Sequence, residues 1–342
     1  MLLTELLPSI KKEIYRRATH KGMLGVPTGI TQFDADIGGL PRQESSLTLG
    51  LSNVGKTYLV LHLLEEAAMW FAQGNRAHSA MPHEEGEIPL VVLFELEMSD
   101  YVTVVRLLAQ MIDRVMNRQI NNRDIRKGEL GYDAETKTWD DEQTLVALKG
   151  GFDALENVGK YIYIATDVYE TAEMWARLEG LRDPSKRNDD ECWQGLEDKP
   201  YDIHLVLVDY FAKIADITMD ANGTSRQQAV SAKLTSMAKK FDCHVHFIID
   251  ATREGEKSSR LNLSHIKWGS AVRYDCDYAI VAERPDLDEM MKDPVKYAYT
   301  KPPNYGEMIL TVQKNRHGEC PIIARVILDP TTGRIRNING GR

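Results

Sequence analysis

Apolar residues follow two patterns along this chain. Short, nearly unbroken runs alternate with stretches in which they recur every three or four positions. The unbroken runs are Ser46–Leu49, Pro89–Glu97, Tyr161–Ile164, Ile203–Asp209, Val245–Ile249 and Tyr278–Ala282. Such runs predict strands buried on both faces. Helical spacing covers Tyr101–Val115, Glu170–Leu181 and Arg226–Lys240. Their alternation predicts an α/β fold, a mainly parallel twisted sheet flanked by helices. Near the end, Met308–Val312 and Ile322–Leu328 flank a polar turn and predict a C-terminal antiparallel hairpin.

Residues 1–22 form a short amphipathic arm, with Leu3, Leu7, Ile10 and Ile14 on one face and Lys11, Lys12, Arg16 and Arg17 elsewhere. The arm either packs on its own domain or docks on a neighbouring subunit. Glycines at Gly22, Gly25 and Gly29 then punctuate the entry to the main domain, residues 23–342. Surface insertions are expected near residues 73–87, 182–201 and 285–305.

The length of 342 residues suits one large α/β domain or two small ones, and 43% hydrophobic with 27% charged content is ordinary for a globular chain. No apolar run reaches membrane-spanning length. Glu5 and the Lys11–Glu13 cluster interrupt any leader-like core, so a cytoplasmic protein is expected. The four cysteines, Cys192, Cys243, Cys276 and Cys320, lack C-x-x-C spacing and read as buried thiols rather than zinc ligands or disulfides. A net charge of −9 argues against a surface coated with basic groups for duplex DNA. It leaves room for a basic channel that grips a single strand.

The most specific chemistry lies in Gly50-Leu51-Ser52-Asn53-Val54-Gly55-Lys56-Thr57, a complete G-x-x-x-x-G-K-[ST] phosphate loop. It follows a strand and opens a helix bearing Leu59, Val60, Leu63, Leu64 and Ala67, the context this chemistry needs. Gly50 and Gly55 allow the tight curl that turns backbone N–H groups inward, and the helix start adds a positive field. Lys56 would neutralise the β- and γ-phosphates, and the Thr57 hydroxyl would ligate Mg²⁺.

Hydrolysis also needs a metal-positioning acid, a base and a charge stabiliser. Asp209, at the tip of an apolar run, is placed to hold water on the metal. Glu95 and Glu97 share a strand face, so geometry alone leaves the base open between them.

Several of these segments resemble the DnaB-type replicative helicases. Leu96-Glu97-Met98 with Arg106 resembles their L-E-M…R segment, and Val208-Asp209-Tyr210 their metal-site strand end. Lys314-Asn315-Arg316-His317-Gly318 resembles the K-x-R-x-G hairpin that carries their arginine finger. Gly269-Ser270-Ala271 with Asp275 and Asp277 matches a G-S…D-x-D stretch of DnaB and the related Twinkle and phage primase-helicases. Cys243-His244-Val245 also resembles Twinkle. The segments run in order from about Gly25 to Arg336.

The resemblance implies a RecA-like ATPase domain acting as a ring-forming, hexameric DNA helicase with ATP and Mg²⁺, moving 5′→3′ on single-stranded DNA. It implies Glu97 as the base, and Arg316 with Lys314 reaching into the adjacent subunit's ATP site. Loops 217–226 and 253–273 would line the channel. The second carries Arg253, Lys257, Arg260, Lys267 and Arg273 around Trp268, Gly269 and Ser270. Trp268 could stack on a base, and the amides near Gly269 and Ser270 could bind phosphate. The family's own arginine there falls on Ile266.

One departure is chemical. Where the family ends its sensor strand with Gln or His, this chain has Asp250, whose carboxylate cannot donate to a γ-phosphate. Arg253 or Thr252 is the alternative sensor. The second departure is the lack of a long segment before Gly25, so that primase or loader contacts are expected to fall to other replication proteins. This architecture fits a virus or mobile element as source. Two rival readings are a RecA- or RadA-like recombinase or regulatory DNA-dependent ATPase, and a nucleotide-binding assembly factor that does not unwind.

Overall fold

The computed structural model describes residues 3–19, 23–77, 86–133, 138–188, 190–216, 223–258, 260–267, 271–298 and 300–338. In chain order its first half runs α1 (Leu3–Thr19), α2 (Thr31–Ile37), β1 (Ser45–Gly50), α3 (Lys56–Ala72), β2 (Ile88–Glu95), α4 (Asp100–Met116), α5 (Asn122–Lys127), a short β3 (Tyr132–Asp133) and β4 (Thr138–Trp139), and α6 (Glu142–Gly159). The second half runs β5 (Ile162–Ala165), α7 (Thr171–Arg182), β6 (Tyr201–Asp209), α8 (Gly223–Lys240), β7 (His244–Asp250), α9 (Arg253–Lys257), α10 (Ala271–Asp275), β8 (Tyr278–Glu283), α11 (Pro285–Lys292), β9 (Glu307–Asn315), β10 (Ile322–Leu328) and β11 (Ile335–Asn337).

Nine strands make one sheet in the order β11-β10-β9-β8-β1-β7-β6-β2-β5. The six from β8 to β5 are parallel, and β9, β10 and β11 join antiparallel. The unbroken apolar runs are explained by cover on both faces. Along β2, Leu90, Val92 and Phe94 pack with α7 and α8 residues such as Leu178 and Leu234. The alternate Val91 and Leu93 pack with Leu61 and Leu64 of α3 and Met111 of α4. The central strands β1, β2, β6, β7 and β8 therefore bury both of their faces in core, which is why their sequences do not alternate.

Each expected strand and helix is present, with ends shifted by up to three residues. One shift matters: β2 stops at Glu95, so Glu97 lies in the turn beyond it rather than on the strand. The expected terminal antiparallel hairpin is present as β9 and β10; it extends the main sheet and gains β11 at its edge. The 285–305 insertion is more than a loop. It holds α11, and the buried Arg284–Asp286 pair ties it to the Gly306 N–H ahead of β9. Of the thiols, Cys243 and Cys276 are buried, but Cys192 is only half-buried and Cys320 is exposed, since it lies in the polar turn after β9. Residues 78–85 of the first insertion lie outside the described residues. Among those described, no helix is long and apolar enough to cross a membrane.

Candidate nucleotide site

Register alone gathers the site. Gly50 of β1 sits opposite Asp250 of β7, and Glu95 of β2 sits opposite Asp209 of β6. Four strand ends thus converge on one edge, the C-terminal crevice where parallel sheets take ligands.

The phosphate loop bridges β1 and α3. Asn53 and Gly55 adopt left-handed backbone, with φ of 64° and 103°. A Cβ on Gly55 would lie 2.5 Å from Leu328 Cδ2 and 2.8 Å from Met308 Cε, so the loop is pressed onto β9 and β10, and the φ of 103° favours glycine there. No side chain caps α3, leaving its first N–H groups available to an anion. Ser52, Asn53, Gly55, Lys56 and Thr57 line a cavity of about 570 Å³ with Glu97, Arg106, Tyr210 and Asp250. Gly50 and Val54, also expected at the nucleotide, do not line it; they pack on each other, since a Cβ on Gly50 would meet Val54 Cγ1 at 2.7 Å. A larger cavity of about 670 Å³, between α2 and the outer face of β9 and β10, has no such loop.

Lys56 is largely buried. Its ammonium donates to the carbonyls of Gly50 (3.0 Å) and Leu51 (2.8 Å) and pairs with Asp250 Oδ1 at 2.8 Å. Asp250 thus reaches the lysine of the phosphate-loop motif, a contact that the sequence did not reveal. Thr252, the alternative sensor, uses its hydroxyl to cap α9 by accepting from Gly255 N–H. Arg253 opens α9, and its side chain is outside the described residues.

Asp209 is fully buried, and neither carboxylate oxygen has a hydrogen bond of full geometry. Burial pushes its carboxyl up to about 6; the nearby Thr57 hydroxyl pulls down, Glu97 pushes up, and Lys56 and Arg106 pull down. Two buried, unsatisfied oxygens beside a threonine hydroxyl fit a hydrated divalent cation, which would satisfy them. Among the described residues no cluster of three or more His, Cys, Asp or Glu could hold a metal alone.

Glu95 and Glu97 are separated by environment. Glu95 is fully buried, and its Oε1 accepts the N–H groups of Glu97 (3.0 Å) and Met98 (2.9 Å). Burial first, and the charge of Asp209 second, push its carboxyl up to about 8 despite those two donors. Glu97 is exposed and faces the cavity. Sequence reasoning also missed a platform at the cavity wall, where the Arg106 guanidinium lies 5.1 Å from the centre of the Tyr58 ring. Tyr58 directly follows the loop threonine, which was the available signal. Tyr210, next to Asp209, has its phenol pushed up to about 12 by burial and by the charge of Asp250.

Lys314 and Arg316 stand elsewhere. Asn315 of β9 faces Tyr278 of β8, which faces Ser46 of β1, whereas the loop begins at Gly50 opposite Ala282. Four residues of strand, about 13 Å at ~3.3 Å each, separate the two levels. Arg316 pairs with Asp277 at 2.8 Å and donates to the Tyr274 carbonyl at 2.8 Å. Lys314 donates to the carbonyls of Arg273 (2.7 Å), Tyr274 (3.1 Å) and Cys276 at the end of α10. Both cations therefore sit at the opposite end of the strands from their own phosphate loop.

The basic segment after β7 is tethered to the site. Ala251 bridges Ile266, Thr252 N–H donates to the His265 carbonyl (2.8 Å), and Lys267 N–H donates to the Asp250 carbonyl (3.2 Å). Arg260 is exposed, and Arg273 lies over the Tyr274 ring at 4.8 Å. Trp268, Gly269, Ser270 and residues 217–222 are outside the described residues.

Known proteins give this geometry a setting. The model of the DnaB-like helicase C-terminal domain matches residues 25–333. The replicative DNA helicase DnaB of Treponema pallidum (strain Nichols) is 23% identical over 284 residues, covering 83% of this chain and 53% of that protein. The DnaB of Rickettsia felis is 20% identical over 294 residues, or 85% and 51%. The chain thus spans about half the length of the curated relatives it matches. Among solved structures, one ATPase domain superposes with a TM-score of 0.73 at 18% identity, covering 99% of both chains. A DnaB-like replicative helicase studied with its primase gives 0.72 at 18%, covering 99% of this chain and 67% of the other. The chain belongs to the DnaB-like helicase C-terminal domain family.

Proposed function

We propose that this chain is an ATP-driven helicase motor that works as a ring, a homo-hexamer, on single-stranded DNA during replication. The observation that carries the reading is the division of cations. Lys56 and Thr57 stand at one end of the sheet with Asp209 and Glu97, while Lys314 and Arg316 stand at the other. In a closed ring, one subunit's far end meets the next subunit's phosphate loop.

In this reading the loop amides and Lys56 hold the triphosphate, and Thr57 and Asp209 hold Mg²⁺. The metal, when bound, offsets charge on the β- and γ-phosphates. Glu97 is the exposed acid able to accept a proton from attacking water, and Arg316 of the adjacent subunit meets charge spreading over the γ-phosphoryl oxygens. The 252–267 segment, hydrogen-bonded to the strand end that carries Asp250, would convey the nucleotide state to DNA held by Arg260, Lys267 and Arg273. Trp268, Gly269 and Ser270 are proposed contacts in the same loop. The arm, whose Leu3, Leu7, Ile10 and Ile14 are exposed in the single subunit, would dock on a neighbour. A primase or loader is the partner to seek, given the relative studied with its primase.

The test is steady-state ATP hydrolysis with and without single-stranded DNA, followed by strand displacement on forks with either tail blocked. Stimulation by DNA and unwinding blocked only by an obstacle on the 5′ tail are expected. The Asp250–Lys56 ion pair favours one rival, an assembly factor that binds nucleotide without doing work. Absence of stimulation at any salt concentration would select it.

A further inference from the structure

We propose that Glu95 is a positioning residue that aims Glu97, acting through the backbone of the turn between them. The proposal rests on the reading of Glu97 as base. After β2 ends, three successive amides are tied down. Leu96 N–H donates to the Asp209 carbonyl at 2.6 Å, and those of Glu97 and Met98 donate to Glu95 Oε1 at 3.0 and 2.9 Å. Fixing the amides on both sides of the Glu97 Cα fixes the direction of its Cα–Cβ bond, and so where its carboxylate enters the cavity.

Glu95 cannot do the base's work itself. Its side chain has no exposure, one oxygen holds two amides, and the other is buried without a partner. Its neighbour across the strands is Asp209, a like group that makes a carboxyl here costly. A leucine would fill the same space without a buried polar group, but it could not accept those two N–H groups. The acceptor is therefore what this position supplies.

The experiment measures kcat for ATP hydrolysis and Kd for ATP in Glu95→Leu, Glu95→Ala and Glu95→Gln. Each is made alone and combined with Glu97→Gln. Leu and Ala should lower kcat about 10- to 100-fold, the usual cost of losing a residue that orients a reacting group, with Kd unchanged. Gln, whose carbonyl can accept the same amides, should restore most of the turnover. On the Glu97→Gln background, Glu95→Leu should cost nothing further, because both changes act through one group. Undiminished kcat in Glu95→Leu, or an equal further loss on the Glu97→Gln background, would overturn the positioning role. Normal turnover by Glu97→Gln alone would instead overturn the base assignment beneath it. An unchanged Kd in Leu or Ala shows that the site has folded.

Discussion

Within the subunit Lys56 is held by two carbonyls and by Asp250, and a triphosphate bound as proposed would need the same ammonium. Binding as proposed would break the Asp250 contact and bring a carboxylate close to phosphate, and both effects would oppose affinity. A charge-assisted contact of this kind is worth about 1–3 kcal/mol, and the partial exposure of Asp250 argues for the lower half. Asp250→Asn should therefore tighten ATP binding roughly 5- to 30-fold, read as Kd with a fluorescent nucleotide. Weaker binding would mean that Asp250 assists the nucleotide. The strand, tight turn and helix around Gly50–Thr57 were legible in sequence because the motif specifies residue, spacing and context together. This ion pair was not, because Lys56 and Asp250 lie far apart along the chain and meet only through the β1–β7 register. The Glu95–Glu97 ambiguity has a similar root: a period of two puts both on one face until the strand ends, and its end is not written in the apolar pattern.

At the level of elements, α3 carries more than the loop. His62 on its second turn is fully buried, and both ring nitrogens lack a hydrogen bond of full geometry, although the Thr28 backbone exerts a small upward pull. Burial, the largest effect, lowers its pKa from 6.5 to about 4. The folded state thus binds fewer protons than the unfolded state between those values. Stability contributed by the neutral ring is complete above about pH 6.5 and is lost as pH falls toward 4. His244 and His246 of β7 are likewise lowered by burial, to about 4 and about 3, and add to the same acid-side loss. His62→Leu, of similar volume, should keep stability at about pH 7.5 and flatten part of the decline between about pH 6.5 and 5, followed as the urea midpoint. An unchanged slope would show that the ring is not kept neutral. Element type was readable wherever strands were buried on both faces. α11 and β11 were missed for the opposite reason: α11 is short, polar and pinned by Arg284–Asp286, and β11 has three residues. Both depend on tertiary contacts for which local sequence carries little signal.

For the whole molecule, the separation between the phosphate loop and Arg316 makes a statement about assembly. Within one subunit, Arg316 is paired with Asp277 and lies about 13 Å down the strands from the level of Gly50. In the proposed ring it would stabilise a transition state at another subunit's loop, and each site would then need two chains. Mixing then becomes diagnostic. If each finger serves its neighbour and subunits fire in sequence, one Arg316→Ala subunit silences a site that it does not itself bind, and stalls the others. ATPase activity plotted against the fraction of Arg316→Ala subunits should fall below the straight line of dilution. In a single-turnover experiment, Lys56→Ala subunits, which lose the loop contact but keep their finger, should restore one round of hydrolysis to Arg316→Ala subunits at mixed interfaces, where an intact loop meets an intact finger and one round does not wait on the stalled sites. A strictly linear titration with no such complementation would mean that each chain completes its own site. The Asp277 pair would then be structural, holding the β8–β9 corner together rather than parking a cation for its neighbour.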